Sequence, residues 1–147
     1  MGSFYFTASN SKKNNTFVPK LIALQPYQFT IIVPVYNEED NLERVEKELL
    51  AYIQIASKKT RILFVNDGSK DKSQSFIEAI CLRNEAFNFI NFQENKGLSA
   101  AIKAGFDYVE TPLLGYIDSD LQTAPEDFNL LLEKIGDYDL VTGVRAN

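Results

Sequence analysis

The sequence has no histidine, no tryptophan and a single cysteine, Cys81, among its 147 residues. Without histidine, the chain cannot build a Ser-His-Asp or Cys-His nucleophilic site, and no metal site can use imidazole ligands. A single cysteine excludes an intramolecular disulfide bond and a zinc site made of several thiolates. Any metal ion must therefore be bound by carboxylates, amides and water, the ligands that suit Mg²⁺ or Mn²⁺.

Basic side chains are also few, since 15 lysines and arginines stand against 20 aspartates and glutamates, a net charge of -5. Nucleic-acid binding needs a basic face that neutralises phosphates, so this balance argues against nucleic acid as a partner. No stretch reaches the roughly 18 consecutive apolar residues of a transmembrane helix. Residues 1–10 lack the basic and apolar regions of a signal peptide. We therefore expect a cytoplasmic protein.

The length fits one domain, and 45% hydrophobic residues suffice for a buried core. Residues 1–28 are predicted to be a partly flexible extension, because residues 10–16 form a polar tract. In residues 29–147, β-branched and aromatic runs predict strands at 29–33, 61–65, 87–90, 113–117 and 139–142. Apolar residues at steps of three and four predict helices at 42–53, 71–83, 98–109 and 125–135, the last with Pro125 as its first residue. This alternation is typical of a parallel α/β sheet.

Polar and acidic segments follow three of the predicted strands directly: residues 33–39 (Val-Pro-Val-Tyr-Asn-Glu-Glu), 65–71 (Val-Asn-Asp-Gly-Ser-Lys-Asp) and 116–122 (Tyr-Ile-Asp-Ser-Asp-Leu-Gln). Taken alone, the first fits an acidic helix start and the second fits a tight turn. Asp118 and Asp120 repel each other unless a cation or hydrogen-bond donors offset their charge. Because ligands bind parallel sheets at the carboxyl ends of the strands, we expect the three segments to share one cleft.

These segments, together with Asn-Lys-Gly at residues 95–97, resemble glycosyltransferase family 2 over about residues 29–145. Within it they are most similar to the polyprenyl-phosphate sugar transferases, such as dolichol-phosphate mannosyltransferase and the bacterial undecaprenyl-phosphate glycosyltransferases. The resemblance implies an α/β fold of the GT-A type, with a mostly parallel, Rossmann-like sheet and helices on both faces. It also implies that residues 29–147 are the nucleotide-sugar-binding part, truncated at the C-terminus, since the family's acceptor half follows this part.

The resemblance assigns the nucleoside of the donor to the first two segments. Pro34, Tyr36 and Glu38 match positions that line the nucleoside pocket. Asp67 matches the aspartate that contacts the base, a role that a carboxylate can fill by accepting a base N–H. Lys96 falls where the family often has a basic residue, and either approaches the donor phosphates or is a solvated turn lysine.

The third segment is where the resemblance places the metal ion. Asp118 and Asp120 match the metal-binding pair, and Gln122 matches a further polar ligand. The ion, Mg²⁺ or Mn²⁺, would bridge the donor diphosphate, so Asp118 counts also as a donor-binding residue and Asp120 as the expected catalytic residue. The sequence departs from the family pattern at Asn66, where a second aspartate is usual, and at residues 123–125.

The implied reaction moves a sugar from a UDP- or GDP-sugar to an acceptor, polyprenyl phosphate or another glycan acceptor, with inversion at the anomeric carbon. A phosphate acceptor is already anionic at neutral pH, which agrees with a site that lacks histidine. Membrane contact is expected through the missing C-terminal region, at the cytoplasmic face. The alternative is a non-catalytic nucleotide-binding or interaction module. A Rossmann dehydrogenase fits poorly, because no Gly-x-Gly-x-x-Gly follows the first strand.

Overall fold

The computed structural model describes residues 6–8 and 26–143. The strands are β1 (Phe6–Ala8), β2 (Phe29–Val35), β3 (Thr60–Asn66), β4 (Phe87–Asn91) and β5 (Leu113–Tyr116). The helices are α1 (Leu42–Ile55), α2 (Ser73–Arg83), α3 (Leu98–Tyr108) and α4 (Asp127–Lys134). The predicted flexible tract at residues 10–16 lies outside the described residues. Within the described part of the chain, no helix combines the length and the apolar character that a membrane crossing needs.

The five strands form one sheet in the order β1-β5-β2-β3-β4. Strands β5, β2, β3 and β4 are parallel, whereas β1 pairs antiparallel with the outer edge of β5. The chain winds from β2 toward β3 and β4 and then returns to place β5 on the other side of β2. This reversal is a topological switch point, and the crevice for a ligand lies where β2 and β5 end.

Helices cover both faces of the sheet, as the resemblance implied. All seven residues of β2 are buried, which is typical of a parallel strand between two helical layers. On one face, Val33 and Phe64 pack in the core formed with α1, α2 and α4. On the other face, Ile32 packs against α3. A Cβ added at Gly105 of α3 would lie 2.7 Å from the Cγ2 atom of Ile32. The small residues of α3 therefore let this helix lie close to β2.

Several predicted boundaries are wrong. Strand β2 continues through Val35, and α2 begins at Ser73 rather than at residue 71. Pro125 lies before Glu126, the N-cap of α4, so it is not the first helical residue. Residues 139–142 form no strand, because a strand requires a ladder partner and this segment has none among the described residues. Strand β1, within the predicted extension, was not predicted.

Candidate functional site

A cleft of about 320 Å³ lies at the carboxyl ends of β2, β3 and β5, beside the first turn of α3. Its walls include most of the residues predicted to bind a donor or a metal: Pro34, Tyr36, Glu38, Asp67, Asp118 and Asp120. They also include residues to which the sequence assigned no role: Val35, Asn95, Gly97, Leu98, Ala101 and Ser119. The expected shared cleft is therefore present, and it lies at the switch point of the sheet.

Two predicted site residues, Lys96 and Gln122, do not line this cleft. The Lys96 ammonium lies 5.3 Å from the centre of the Phe92 ring, a distance typical of a cation–π contact. Gln122 is exposed, and its backbone N–H donates to a carboxylate oxygen of Asp120. In this arrangement Lys96 faces an aromatic ring, and Gln122 contributes its backbone to the loop around Asp120.

Asp67, directly after β3, is 3% exposed, and its carboxylate contacts the loop that precedes α3. Its Oδ1 accepts the Lys96 backbone N–H at 2.7 Å, and its Oδ2 accepts the Gly97 N–H at 2.9 Å. Each carboxylate oxygen has a second lone pair, so a further donor can still be accepted. Asp67 thus accepts hydrogen bonds from the backbone of residues 96 and 97 and also lines the cleft.

Asn66 occupies the position where the family usually has a second aspartate. Its side chain is 1% exposed, donates to Asn91 Oδ1 at 3.1 Å and accepts the Ser69 N–H at 3.2 Å. An amide can do both, whereas an ionised carboxylate has no donor for Asn91. The departure from the family pattern therefore suits the local hydrogen bonds.

The loops that follow β2 and β3 are joined by hydrogen bonds between side chains and backbone, an arrangement that we call the interlock (residues 37–39 and 69–73). Three N–H groups of the first loop donate to side chains of the second: Asn37 to Ser69 (3.0 Å), Glu38 to Ser73 (2.9 Å) and Glu39 to Asp71 (3.1 Å). Two N–H groups donate back: Lys70 to Asn37 (2.8 Å) and Lys72 to Glu39 (2.7 Å). The interlock holds the backbone beside Tyr36 and Glu38 in place.

Two details of the interlock follow from its residue types. Asn37 has a backbone φ of 55°, a left-handed conformation that asparagine tolerates better than most residues. Burial alone would raise the pKa of Asp71, but hydrogen bonds from Ser73 and from the Glu39 N–H hold it below its usual value. Sequence reasoning missed the interlock, although the Asn and Ser residues after both strands were a signal for side-chain-to-backbone bonds.

The loop after β5 presents Asp118 and Asp120 to the same cleft. The Tyr116 hydroxyl donates to Asp118 Oδ1 at 3.1 Å, and the Gln122 N–H donates to Asp120 Oδ1 at 3.1 Å. Burial raises the pKa of Asp118, and the charge of Asp120 raises it further, against the lowering effect of the Tyr116 hydrogen bond. A cation between these carboxylates would relieve both unfavourable effects.

The same loop has an unusual backbone. Leu121 has a φ of 46°, and its side chain is buried in the core that α4 helps to form. Its N–H donates to the Asp118 carbonyl at 3.1 Å, which closes a tight turn. Arg44 of α1 donates to the Asp120 carbonyl oxygen and so connects the turn to a helix.

Comparison with known proteins identifies the family. Residues 30–147 match the family model described as Glycosyl transferase family 2. The chain belongs to this family. It is 36% identical over 121 residues to an uncharacterised glycosyltransferase of Synechocystis, covering 82% of the chain and 38% of that relative. It is 37% identical over 120 residues to the uncharacterised glycosyltransferase YkcC of Bacillus subtilis, covering 81% and 37%. The chain thus spans well under half the length of these family 2 relatives.

Solved structures share the fold of this family 2 chain. The mannosyltransferase PcManGT from Pyrobaculum calidifontis, in complex with GDP-Man and Mn²⁺, has a TM-score of 0.60 at 19% identity, over 78% of the chain and 34% of that protein. Glucosyl-3-phosphoglycerate synthase from Mycobacterium tuberculosis, in complex with Mn²⁺, UDP and glucosyl-3-phosphoglycerate, has a TM-score of 0.58 at 15% identity, over 74% and 39%. The expected GT-A fold is confirmed.

The donor atoms of the cleft fit a divalent cation of the expected kind. Within residues 6–8 and 26–143, no group of three or more acidic or cysteine side chains is arranged to hold a metal ion. Asp118 and Asp120 are a pair, and Mg²⁺ is usually bound by one or two carboxylates, substrate phosphates and water. A metal ion at this pair would therefore depend on the phosphates of a ligand to complete its coordination.

Proposed function

We propose that this family 2 chain is the donor-binding part of a glycosyltransferase that moves a sugar from a UDP- or GDP-sugar to an acceptor, with inversion and with help from Mg²⁺ or Mn²⁺. The observation that carries the proposal is the cleft at the switch point, which brings Asp67, Asp118 and Asp120 to one site. A nucleoside on one side and a diphosphate beside the two aspartates fit this arrangement of a polar pocket and a carboxylate pair.

In this proposal the nucleoside lies along the ends of β2 and β3. Tyr36 is 44% exposed at the cleft, where its ring offers an apolar surface to a base or a ribose. Pro34 and Glu38 line the same wall, and Asp67 has free lone pairs for a base N–H. The interlock fixes the backbone of this wall through hydrogen bonds between the two loops, which lowers the cost of ordering it when the nucleoside binds.

Asp118 and Asp120 are the proposed metal-binding residues. Gln122, at the end of their loop, is the proposed further ligand, although its side chain must turn toward the cleft to reach a metal ion there. A bound cation supplies charge that stabilises the leaving nucleoside diphosphate. Asp120 is the proposed catalytic residue, because its carboxylate lies at the cleft while its carbonyl is held by Arg44. Lys96 reaches donor phosphates in this scheme only if its ammonium leaves the Phe92 ring.

The proposed acceptor is polyprenyl phosphate, as in the branch that the motifs resemble. Its phosphate oxygen is anionic near neutral pH, since the second pKa of a phosphate monoester is about 6, and it needs little help from a base. This agrees with a chain that has no histidine. Contact with the membrane, at its cytoplasmic face, is proposed for parts of the full-length protein outside this chain.

Calorimetric titration of the chain with UDP and with GDP, each in Mn²⁺ and again in EDTA, tests the donor site. We expect one nucleotide to bind in Mn²⁺ and to bind at least about tenfold more weakly in EDTA. Asp118→Asn is expected to weaken the binding in Mn²⁺, and its matched control is Asp137→Asn, which removes a carboxylate in the turn after α4, away from the cleft. No binding of either nucleotide by folded protein, in this chain and in a longer one, overturns the proposal. Metal-dependent binding without sugar transfer by the longer protein favours the non-catalytic alternative.

A further inference from the structure

Asp67 and Gly68, the two residues that follow β3, hold the loop at residues 94–97. Gly68 has a φ of 65°, and a Cβ at this position would lie 2.3 Å from the backbone carbon of Glu94 and 2.6 Å from the nitrogen of Asn95. The two backbones are therefore in direct contact. Asp67 accepts the next two N–H groups of the same loop, those of Lys96 and Gly97.

This pair of contacts, which we call the clamp (Asp67 and Gly68 with residues 94–97), depends on a carboxylate. Two N–H donors converge on two oxygens that are almost fully buried, so each donor has its own acceptor. An asparagine at position 67 has one acceptor oxygen, and its NH₂ group faces the second N–H donor. One backbone N–H and one amide group then lie buried without partners, an unfavourable arrangement.

The clamp determines where one wall of the cleft lies. Gly97 is the N-cap of α3 and has a φ of 91° and a ψ of 158°, a conformation that is essentially limited to glycine. Gly97 and Leu98 line the same cleft as Asp118 and Asp120. Any shift of the loop at residues 94–97 therefore moves the start of α3 relative to the carboxylate pair.

We propose that Asp67 is a positioning residue, whose carboxylate fixes the loop at residues 94–97 and the start of α3 so that the cleft fits a nucleoside diphosphate whatever its base. This inference rests on the proposed function and deepens it. A contact with the base makes Asp67 important only for ligands that carry a base, since the ring N–H of uracil and that of guanine can both donate to it. The clamp makes it equally important for every diphosphate that uses the cleft, with or without a base.

The test is Asp67→Asn, studied first without any nucleotide. We expect amide exchange at Lys96 and Gly97, followed by NMR, to become at least about tenfold faster while exchange in the core of β3 stays unchanged. The affinity in Mn²⁺ for the nucleotide that binds the wild type and the affinity for inorganic diphosphate are expected to fall by the same factor. Asp71→Asn is the matched control, because Asp71 also accepts two backbone N–H groups but contacts residues 39 and 73. It is expected to leave exchange at Lys96 and Gly97 unchanged.

Unchanged exchange at both amides in Asp67→Asn overturns the clamp, as does a loss of affinity for the nucleotide with none for inorganic diphosphate, which indicates a base contact. If Asp67→Asn does not fold, Asp67→Glu replaces it, because glutamate keeps two acceptor oxygens and displaces them by one methylene. A smaller rise in exchange and equal losses of both affinities are then expected. If the wild-type chain binds neither nucleotide, the proposed function fails, whereas the exchange measurement still decides whether the clamp exists.

Discussion

The cleft has two sides that treat their acidic residues differently. On the interlocked side (residues 34–39, 66–73 and 94–97), Asp67 and Asp71 each accept two backbone N–H groups. On the aspartate side (residues 118–122), Asp118 accepts the Tyr116 hydroxyl and Asp120 accepts the Gln122 N–H. Each carboxylate of the first side accepts two backbone N–H groups, one on each oxygen, whereas each carboxylate of the second side accepts a single donor from the chain and keeps more of its capacity for a cation.

The pKa directions agree with this difference. Hydrogen bonds from Ser73 and Glu39 outweigh the effect of burial and lower the pKa of Asp71. Burial and the neighbouring Asp120 raise the pKa of Asp118. The hydrogen bonds of the interlocked side are therefore formed before a ligand arrives, whereas the ionised carboxylates of the aspartate side are stabilised when positive charge is bound. The chain itself therefore fixes the shape of the interlocked side, whereas a bound ligand must supply the positive charge that the aspartate side lacks.

The strongest destabilisation is expected from a substitution on the interlocked side, at Gly68. Gly68→Ala is expected to lower the free energy of unfolding by about 3 kcal/mol or more, because the new Cβ meets the backbone of Glu94 and the φ is 65°. Gly97→Ala, with a φ of 91° and no atom within 4 Å, is expected to lower it by about 1–3 kcal/mol. Urea denaturation of both variants measures the difference.

Gly136→Ala is the matched control for this pair. Nothing lies within 4 Å of a Cβ at Gly136, and its backbone is not in the left-handed region, so the substitution is expected to be close to neutral. Equal losses in Gly68→Ala and Gly97→Ala would contradict the close contact between the loops. They would leave backbone conformation as the common cause.

The next effect concerns the aspartate side. Asp118→Asn and Asp120→Asn are each expected to weaken Mn²⁺-dependent nucleotide binding at least about tenfold, because an amide keeps the shape of the side chain and removes its charge. Thermal stability is expected to stay unchanged or to rise in Asp118→Asn, since ionised Asp118 is disfavoured by burial and by Asp120. Titration in Mn²⁺ and a thermal melt are the measurements, and undiminished Mn²⁺-dependent binding in both variants contradicts the metal assignment.

The sequence predicted the aspartate side better than the interlocked side, for a physical reason. Parallel strands bring their carboxyl ends to one edge, so residues directly after β3 and β5 had to meet there. The shared cleft of Asp67, Asp118 and Asp120 was predicted in this way, whereas their roles stay a prediction. The contact of Gly68 with Glu94 depends on how closely two loops approach, and no spacing in the sequence carries that distance.

The strands and helices were also predicted well where the local sequence decides them, and poorly where contacts between distant segments decide them. Strands β2 to β5 and all four helices were expected from apolar runs and periodicity, with errors at their ends. Strand β1 has three residues, too few for a pattern, and forms because the outer edge of β5 accepts it. Residues 139–142 have the residues of a strand, but pairing is decided by available edges rather than by propensity.

The lowered pKa of Asp71 predicts that the stability of the interlocked side depends on pH. Because the pKa of Asp71 is lowered on folding, its ionised form stabilises the folded state above the usual pKa of 3.8, and this stabilisation is lost as the pH falls through the lowered pKa. The difference in unfolding free energy between wild type and Asp71→Asn is therefore expected to shrink as the pH falls from about 6 to about 3. Urea denaturation across this range tests it, with Asp137→Asn as control for removing a charge. A difference that does not change with pH contradicts the role of the Asp71 carboxylate.

Substitution of Arg44 tests whether a hydrogen bond from α1 also fixes the position of the aspartate side, and we expect a small effect. Arg44 donates to the Asp120 carbonyl, and its guanidinium lies 3.9 Å from Glu48 on the exposed surface of α1. Arg44→Met is expected to weaken Mn²⁺-dependent binding by about two- to fivefold, the effect of one exposed hydrogen bond worth about 0.5–1 kcal/mol. Arg44→Lys, which keeps a donor, is expected to lose less.

Lys47→Met, on the same helix, is the matched control, because it also removes a positive charge from α1. Titration of all three variants with Mn²⁺ and nucleotide decides the point. If Arg44→Met and Lys47→Met weaken binding equally, the effect is the general loss of positive charge near the cleft. If Arg44→Met alone weakens binding, the hydrogen bond from α1 fixes the turn that contains Asp120. The aspartate side is then also fixed by the chain itself, although by fewer hydrogen bonds than the interlocked side.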